Sequence, residues 1–130
     1  MTKKTLLVRM ARAARAAARR AYAPYSRFRV GAAVLTDKGR IYSGSNVENA
    51  SYGLSICAER VAIFKAVSAG ARGIKAVLVW TDTEELTPPC GACLQVINEF
   101  GLNPAVILAN RHGTKQRQLR ELLPLGFLLT

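Results

Sequence analysis

The three cysteines of this chain occur in two short motifs that could hold a metal. Cys57 opens C-A-E-R, with Glu59 two residues later, and Cys90 and Cys93 end the motif P-C-G-A-C. Soft thiolates select zinc among the common intracellular metals. Three protein ligands leave the fourth tetrahedral position of zinc to a water molecule, which is the arrangement of a catalytic site. A C-x-x-C pair alone is equally typical of redox or structural sites, so the prediction depends on the two motifs together.

Both motifs stand where a helix is predicted to begin. C-A-E-R-V-A-I-F-K-A-V-S-A-G predicts one helix that Gly70 ends, and C-G-A-C-L-Q-V-I-N-E-F predicts another that ends before Gly101. Helix N-termini carry partial positive charge and unpaired N–H groups, which lower thiol pKa values and favour metal-binding thiolates. Glu59 lies on the same turn as Cys57, so it can face the water position without binding the metal.

The remaining pattern predicts the sheet that positions these helices. F-R-V-G-A-A-V-L-T and I-Y-S-G-S-N form a hairpin around D-K-G-R, and K-A-V-L-V-W-T-D, A-V-I-L-A-N and T-K-Q-R-Q-L are further strands. Only about three residues separate the last two strands, whereas a parallel crossover needs about a dozen, so this pair should be antiparallel. We expect one α/β domain over residues 1–130, with helices on the faces of the sheet.

The net charge of +11 is concentrated at the N-terminus. Nine Lys or Arg residues and no acid precede Asp37. The sequence T-L-L-V-R-M-A-R-A-A-R-A-A-A-R-R predicts an amphipathic helix with one apolar and one basic side: Leu6, Met10, Ala14, Ala17 and Ala21 against Arg12, Arg15 and Arg19. A solvated basic face is the main interpretation, and attraction to phosphate or nucleic acid and a transit peptide are the alternatives.

The cysteine count and the hydropathy pattern concern the compartment. Three cysteines cannot all pair within one chain, and no stretch resembles a signal peptide or the ~20 apolar residues of a membrane span. We therefore expect a reducing cytoplasm, in which the thiols stay free to bind a metal, and no membrane partner.

The motifs as a set resemble a known family. C-A-E-R with P-C-G-A-C is similar to the zinc nucleoside deaminases, and their Glu serves as the general acid and base. A-Y-A-P-Y-S-R-F-R-V-G-A-A-V-L, G-S-N-V-E-N-A-S-Y-G and E-L-L-P-L-G-F resemble the small homotetrameric cytidine deaminases, in order from about residue 21 to 127. The resemblance implies a five-stranded mixed sheet between helices and the hydrolytic deamination of cytidine and deoxycytidine in pyrimidine salvage.

The resemblance also implies a role for each matching residue. One zinc per chain is held by the three cysteines, and Glu59 moves protons between the activated water, the ring and the leaving amine. The charge balance of the site, not the resemblance, adds Arg60, which can donate to a thiolate sulfur and offset part of its negative charge. The residues implied to contact the nucleoside are Phe28, Asn46 and Glu48, the last two through the ribose, together with Tyr52 and Phe127, which reach a neighbouring subunit's site.

The sequence departs from the family pattern at two positions. Leu94 stands directly after P-C-G-A-C, where the family commonly has a basic residue, so more of the charge compensation falls on Arg60. Leu125 is bulkier than the small residues usual in the C-terminal motif.

Three alternatives remain open from the sequence. A deaminase of the same fold could act on blasticidin S, although Glu48 and Asn49 match the ribose-binding form. A nucleic-acid deaminase would fit the basic N-terminus, but such enzymes resemble H-A-E at the first ligand and have parallel last strands. A structural zinc module could instead be closed by His112, the only histidine, which lies in a predicted hairpin turn.

Overall fold

The computed structural model describes residues 2–129 as a sheet with helices on its faces. The helices in this range are α1 (Lys3–Ala18), α2 (Ala58–Ser68), α3 (Gly91–Phe100) and the short α4 (Leu119–Leu122), with a 3₁₀ turn at Tyr52–Leu54. The strands are β1 (Val30–Thr36), β2 (Ile41–Ser45), β3 (Ile74–Thr81), β4 (Gly101–Asn110) and β5 (Gly113–Gln118). All the elements expected from the sequence are present.

The five strands form one mixed sheet in the order β2-β1-β3-β4-β5. Three neighbouring pairs are antiparallel, and β3 and β4 are parallel because α3 crosses between them. The β4–β5 hairpin turns at Arg111 and His112, as the short connection requires. The predicted five-stranded sheet with an antiparallel last pair is therefore confirmed.

Alternate residues along the strands pack into two cores on opposite faces of the sheet. Helices α2 and α3 cover one face, where Ala62, Ile63 and Ile97 contact the strand residues Val34, Val77, Val79, Val106 and Leu108. Helix α1 covers the other face, where Met10, Ala14 and Ala18 contact Ala33, Leu35, Leu78, Trp80 and Ile107. The three-layer arrangement expected from the sequence is confirmed.

Helix α1 packs unusually close to the sheet. A Cβ at Gly31 would lie only 1.8 Å from the carbonyl oxygen of Ala14, so glycine is required where the helix crosses β1. The arginines of the predicted basic side are exposed, as expected. Ala21 is buried but lies beyond the helix, which ends at Ala18. Within residues 2–129, no helix has both the length and the apolar character to cross a membrane.

A second close approach fixes α2, the helix that carries Glu59. A Cβ at Gly44 would lie 2.5 Å from the backbone nitrogen of Ala62 and 2.8 Å from the carbonyl oxygen of Ala58. Strand β2 therefore supports the backbone of α2 directly, with no side chain between them. This contact sets the position of the first turn of α2.

Candidate active site

The two cysteine motifs begin two adjacent helices. Cys57 is the N-cap of α2 and Cys90 is the N-cap of α3, both with extended backbone, and neither side chain caps its own helix. Cys93 lies in the first turn of α3 and is buried. The expectation that strand-to-helix loops deliver the cysteines to helix N-termini agrees with this geometry. Their sulfur atoms thus lie where N–H groups and helix dipoles stabilise negative charge.

The three sulfur atoms form one cluster. The Sγ atom of Cys90 lies 3.9 Å from that of Cys57 and 3.6 Å from that of Cys93, and all three lie within 4.8 Å of one another. Sulfur ligands about 2.3 Å from a tetrahedral zinc ion stand about 3.8 Å apart, so the cluster has the dimensions of a zinc site. No fourth His, Cys, Asp or Glu of the described chain joins it.

The thiols of the cluster influence one another's pKa values. A hydrogen bond from Cys93, with a further contribution from Arg60, lowers the pKa of Cys57 to about 5. The same hydrogen bond to Cys57, together with burial, raises the pKa of Cys93. The two thiols thus share a proton, because adjacent thiolates repel each other unless positive charge lies among them. A zinc ion held by Cys57, Cys90 and Cys93 would supply that charge and keep all three sulfurs as thiolates.

The Arg60 guanidinium supplies a second positive charge at the cluster. Its Nη2 atom donates to the sulfur of Cys57 at 3.5 Å, and this bond raises the pKa of Arg60 further. Its Nε atom is buried and has no hydrogen-bond partner within residues 2–129. The contact places a positive charge beside one of the sulfurs, which offsets part of the negative charge of the thiolates.

Glu59 is the one buried carboxylate at this site. It is 4% exposed, on the first turn of α2, and lies outside the sulfur cluster. Burial raises the pKa of Glu59 to about 7, and the charge of Cys57 acts in the same direction. A carboxyl group whose pKa lies near neutral pH can both accept and donate a proton during a reaction.

Cys57, Glu59 and Cys90 line a cavity of about 390 Å³. The cavity volume falls in the range that accommodates small organic ligands. The lining residues that sequence analysis had singled out are Phe28, Asn46, Glu48, Cys57, Glu59 and Cys90. Apolar walls come from Val30, Ile56, Val79 and Pro88.

Asn46 is held to the backbone next to Phe28. Its Oδ1 accepts from the Val30 N–H at 2.9 Å, and its Nδ2 donates to the Phe28 carbonyl at 2.8 Å. One Nδ2 hydrogen remains available as a donor to a ligand. Asn46 therefore fixes the segment that carries the ring of Phe28.

Glu48 accepts hydrogen bonds from the loop before β1. Its Oε1 accepts from the backbone N–H groups of Tyr25 and Ser26 at 3.0 and 3.1 Å, and its Oε2 accepts from the Ser26 hydroxyl. The Ser26 hydroxyl and these N–H groups lower the pKa of Glu48, so the carboxylate stays ionised. Acceptor capacity remains on Oε2.

The structure places the other two candidate substrate residues outside this cavity. Tyr52 is 78% exposed and Phe127 is 65% exposed, and neither lines it. The Phe127 carbonyl accepts from Gln95 and Asn98 of α3, which holds the C-terminal segment on the outside of that helix. Within one subunit, these two aromatic rings do not contribute to the site.

The sequence analysis singled out three further residues, His112, Leu94 and Leu125. His112 pairs with Glu84 at 3.1 Å in the exposed β4–β5 turn and does not join the sulfur cluster, so the closed Cys₃His module is not supported. Leu94 is buried in the core, which leaves no cation there for the thiolates. Leu125 is exposed.

Sequence reasoning missed four polar residues in the cavity wall, namely Ser26, Ser55, Thr81 and Thr87. Thr81 ends β3, and a polar residue at the carboxyl end of a parallel strand is a recognisable signal. Ser55 precedes Cys57 by two residues and Thr87 precedes Cys90 by three, and this proximity to the metal-binding motifs is a weaker signal. No local sequence pattern marked Ser26, because its place in the cavity wall depends on a contact with Glu48, 22 residues away.

Comparison with known proteins identifies the family. Residues 4–109 match the model of the cytidine and deoxycytidylate deaminase zinc-binding region. The chain is 53% identical over 111 residues to a cytidine deaminase of Halalkalibacterium halodurans, covering 82% of this chain and 83% of that one. It is 49% identical over 109 residues to a cytidine deaminase of Sporosarcina psychrophila, covering 82% and 80%. The chain therefore belongs to the cytidine and deoxycytidylate deaminase family.

Solved structures agree with this assignment. The crystal structure of cytidine deaminase from Burkholderia pseudomallei superposes with a TM-score of 0.87 at 45% identity, covering 98% of this chain and all of that one. That from Mycobacterium tuberculosis gives a TM-score of 0.82 at 39% identity, covering 95% and 98%. The zinc-binding family match and the three-sulfur cluster together support one zinc per chain.

Proposed function

We propose that this protein is a zinc-dependent hydrolase that converts cytidine and deoxycytidine, with water, to uridine and deoxyuridine and ammonia. The observation that carries the proposal is the three-cysteine cluster beside the buried carboxyl of Glu59, in the wall of a cavity of about 390 Å³. The family match and relatives at about half identity support the same reaction.

Glu59 is the acid and base of the proposed reaction. Zinc, when bound by the cysteines, supplies the Lewis acidity that makes a water molecule acidic near neutral pH. Glu59 accepts a proton from that water and delivers it to N3 of the cytosine ring, which makes C4 electrophilic. The water oxygen adds to C4, and Glu59 then moves the proton of the new C4 hydroxyl to the amino group, so that the C4–N bond breaks and ammonia leaves. The pKa of about 7 lets one carboxyl group perform both transfers.

The cluster needs positive charge beyond that of the metal, since three thiolates exceed the charge of one zinc ion. The N-termini of α2 and α3 provide part of it at Cys57 and Cys90. Arg60 provides more through its contact with Cys57. Because Leu94 offers no charge, Arg60 is the side chain on which this compensation depends in this chain.

Asn46 and Glu48 form the part of the cavity that we assign to the sugar. Asn46 has one free donor and Glu48 has free acceptor capacity, so the pair can bind a ribose hydroxyl that both accepts and donates. Phe28, on the loop before β1 that Asn46 contacts, provides an aromatic surface for the nucleoside. This arrangement favours a nucleoside over a free base.

We further propose that the active form is a homotetramer. Tyr52, Leu54, Leu125 and Phe127 are large apolar residues that the single subunit leaves exposed. Exposed apolar groups of this kind are typical of surfaces that bind another protein. Assembly would place Tyr52 and Phe127 against a neighbour's cavity.

The proposed compartment is the cytoplasm. Three free thiols suit its reducing conditions, and the reaction would serve pyrimidine salvage there.

An absorbance assay for loss of the cytosine amino group tests the reaction directly. The substrates are cytidine, deoxycytidine, cytosine and blasticidin S, each with zinc-loaded protein and with chelated protein. The proposal expects turnover of both nucleosides, little turnover of cytosine and dependence on zinc. Turnover of blasticidin S alone would assign the fold a different substrate, and no turnover of any would contradict the proposal.

A further inference from the structure

One hydroxyl group connects two parts of the cavity wall. The Ser26 hydroxyl donates to Oε2 of Glu48 and accepts from the backbone N–H of Phe28 at 3.0 Å. Glu48 follows β2, whereas Phe28 precedes β1, so the contact joins two different segments of the cavity wall. The proposed function gives both Glu48 and Phe28 a role in binding the nucleoside.

We propose that Ser26 is a positioning residue for substrate binding, which orients the Glu48 carboxylate toward the ribose through its hydroxyl. The inference depends on the proposed function, because it concerns the sugar end of that same site. Ser26 need not touch the substrate or take part in proton transfer to act in this way.

Two backbone bonds alone do not fix the carboxylate. The N–H groups of Tyr25 and Ser26 both bind Oε1 of Glu48, at 3.0 and 3.1 Å. The carboxylate can still rotate about the bond that joins it to the side chain, because terminal carboxyl torsions are broad. The hydroxyl bond to Oε2 supplies the contact that restricts this rotation. Oε2 is also the atom that keeps acceptor capacity for a ligand.

The backbone around Ser26 is arranged for this contact. Arg27 has a φ of +60°, a left-handed conformation that costs a non-glycine residue energy. The bond from the Phe28 N–H to the Ser26 hydroxyl closes a short turn across Arg27, and the Arg27 N–H bonds to the Ala23 carbonyl at 3.0 Å. The turn thereby points the serine hydroxyl at Glu48 while Phe28 stays on the cavity wall.

A double-mutant cycle measures the connection between Ser26 and Glu48. The variants are Ser26→Ala, Glu48→Ala and the double variant, assayed with cytidine, with zinc content and subunit assembly checked for each. Removing the hydroxyl should raise KM about tenfold and change kcat less than about threefold, since a hydrogen bond to a charged group is lost from substrate binding. In the Glu48→Ala background, the same removal should change KM less than about twofold.

Two controls accompany the cycle. Ser26→Thr keeps a hydroxyl and should restore KM to within about threefold of wild type. Ser68→Ala removes an exposed hydroxyl at the end of α2, away from the cavity, and should leave KM unchanged.

The outcomes distinguish the inference from the function on which it depends. If Glu48→Ala raises KM and Ser26→Ala does not, the positioning role is wrong and the ribose assignment stands. A Ser26→Ala effect of equal size in the Glu48→Ala background also overturns the inference, because the hydroxyl then acts through Phe28 alone. If Glu48→Ala leaves KM unchanged, the ribose assignment itself fails.

Discussion

The guanidinium of Arg60 donates to the sulfur of Cys57 across 3.5 Å, one helical turn along α2. This contact joins a cationic side chain to one of the three thiols of the sulfur cluster. The buried position of Leu94 in this chain makes the contact more important, because the residue after Cys93 is apolar. Loss of the Arg60 charge should therefore weaken zinc binding.

Replacing Arg60 by Gln should lower zinc affinity. Groups that hydrogen-bond to metal ligands typically contribute about 10- to 100-fold to metal affinity, and a loss in this range is expected here. Arg60→Lys keeps the charge, so its zinc affinity should lie between those of Arg60→Gln and the wild type. Competition with a zinc-sensitive chelator gives the affinities. Arg72→Gln, at the far end of α2, is the control, and equal affinity in Arg60→Gln would contradict this role.

Replacing Glu48 by Ala should lower kcat/KM for nucleosides by roughly 30- to 1,000-fold, because the ribose hydroxyls then lose an ionised acceptor. Free cytosine should be a poor substrate of both proteins. Glu48→Gln keeps the side-chain shape, and circular dichroism checks that the loop contacts are not needed for folding. Equal turnover of cytosine and cytidine by the wild-type protein would remove the ribose assignment.

Replacing Phe127 by Ala should weaken substrate binding and leave zinc content intact, because its ring serves a neighbour's cavity in the proposed tetramer. KM for cytidine and sedimentation velocity are measured together. Val8→Ala truncates an exposed residue on α1, across the sheet, and should change neither. Full activity in a dilute monomer would show that the site needs no second subunit.

Replacing His112 by Ala should leave both zinc content and activity unchanged. The histidine lies in the exposed β4–β5 turn with Glu84 as its partner, outside the sulfur cluster. Elemental analysis of freshly purified, unchelated protein is expected to give one zinc per chain in the variant and in the wild type. Loss of metal on this substitution would support a closed structural site instead.

The sequence was most informative where function depends on local spacing. C-A-E and P-C-x-x-C placed Cys57, Glu59 and Cys90 at helix starts, and the short link around His112 predicted an antiparallel last pair, which the sheet confirms. The strand order did not follow from spacing, because the pairing of β1 with β3 is decided by packing between distant segments.

The hydrogen bonds around Glu48 were equally inaccessible from the sequence. The contact between Ser26 and Glu48 spans 22 residues and depends on the left-handed backbone of Arg27. The sequence of a turn does not show which distant carboxylate a serine hydroxyl will meet. The resemblance named Glu48, and only the structure showed what holds it.

The central claim is that Glu59 moves protons at a zinc site, and Glu59→Gln tests it most directly. Glutamine keeps the shape of the side chain and cannot carry the proton. One acid and base role contributes about 10²- to 10⁴-fold, and two transfers place the expected loss of kcat at or beyond the top of that range, about 5 kcal/mol or more. The account predicts this loss with zinc content, fold and assembly retained. A Glu59→Gln protein whose kcat stays within about tenfold of wild type would contradict it.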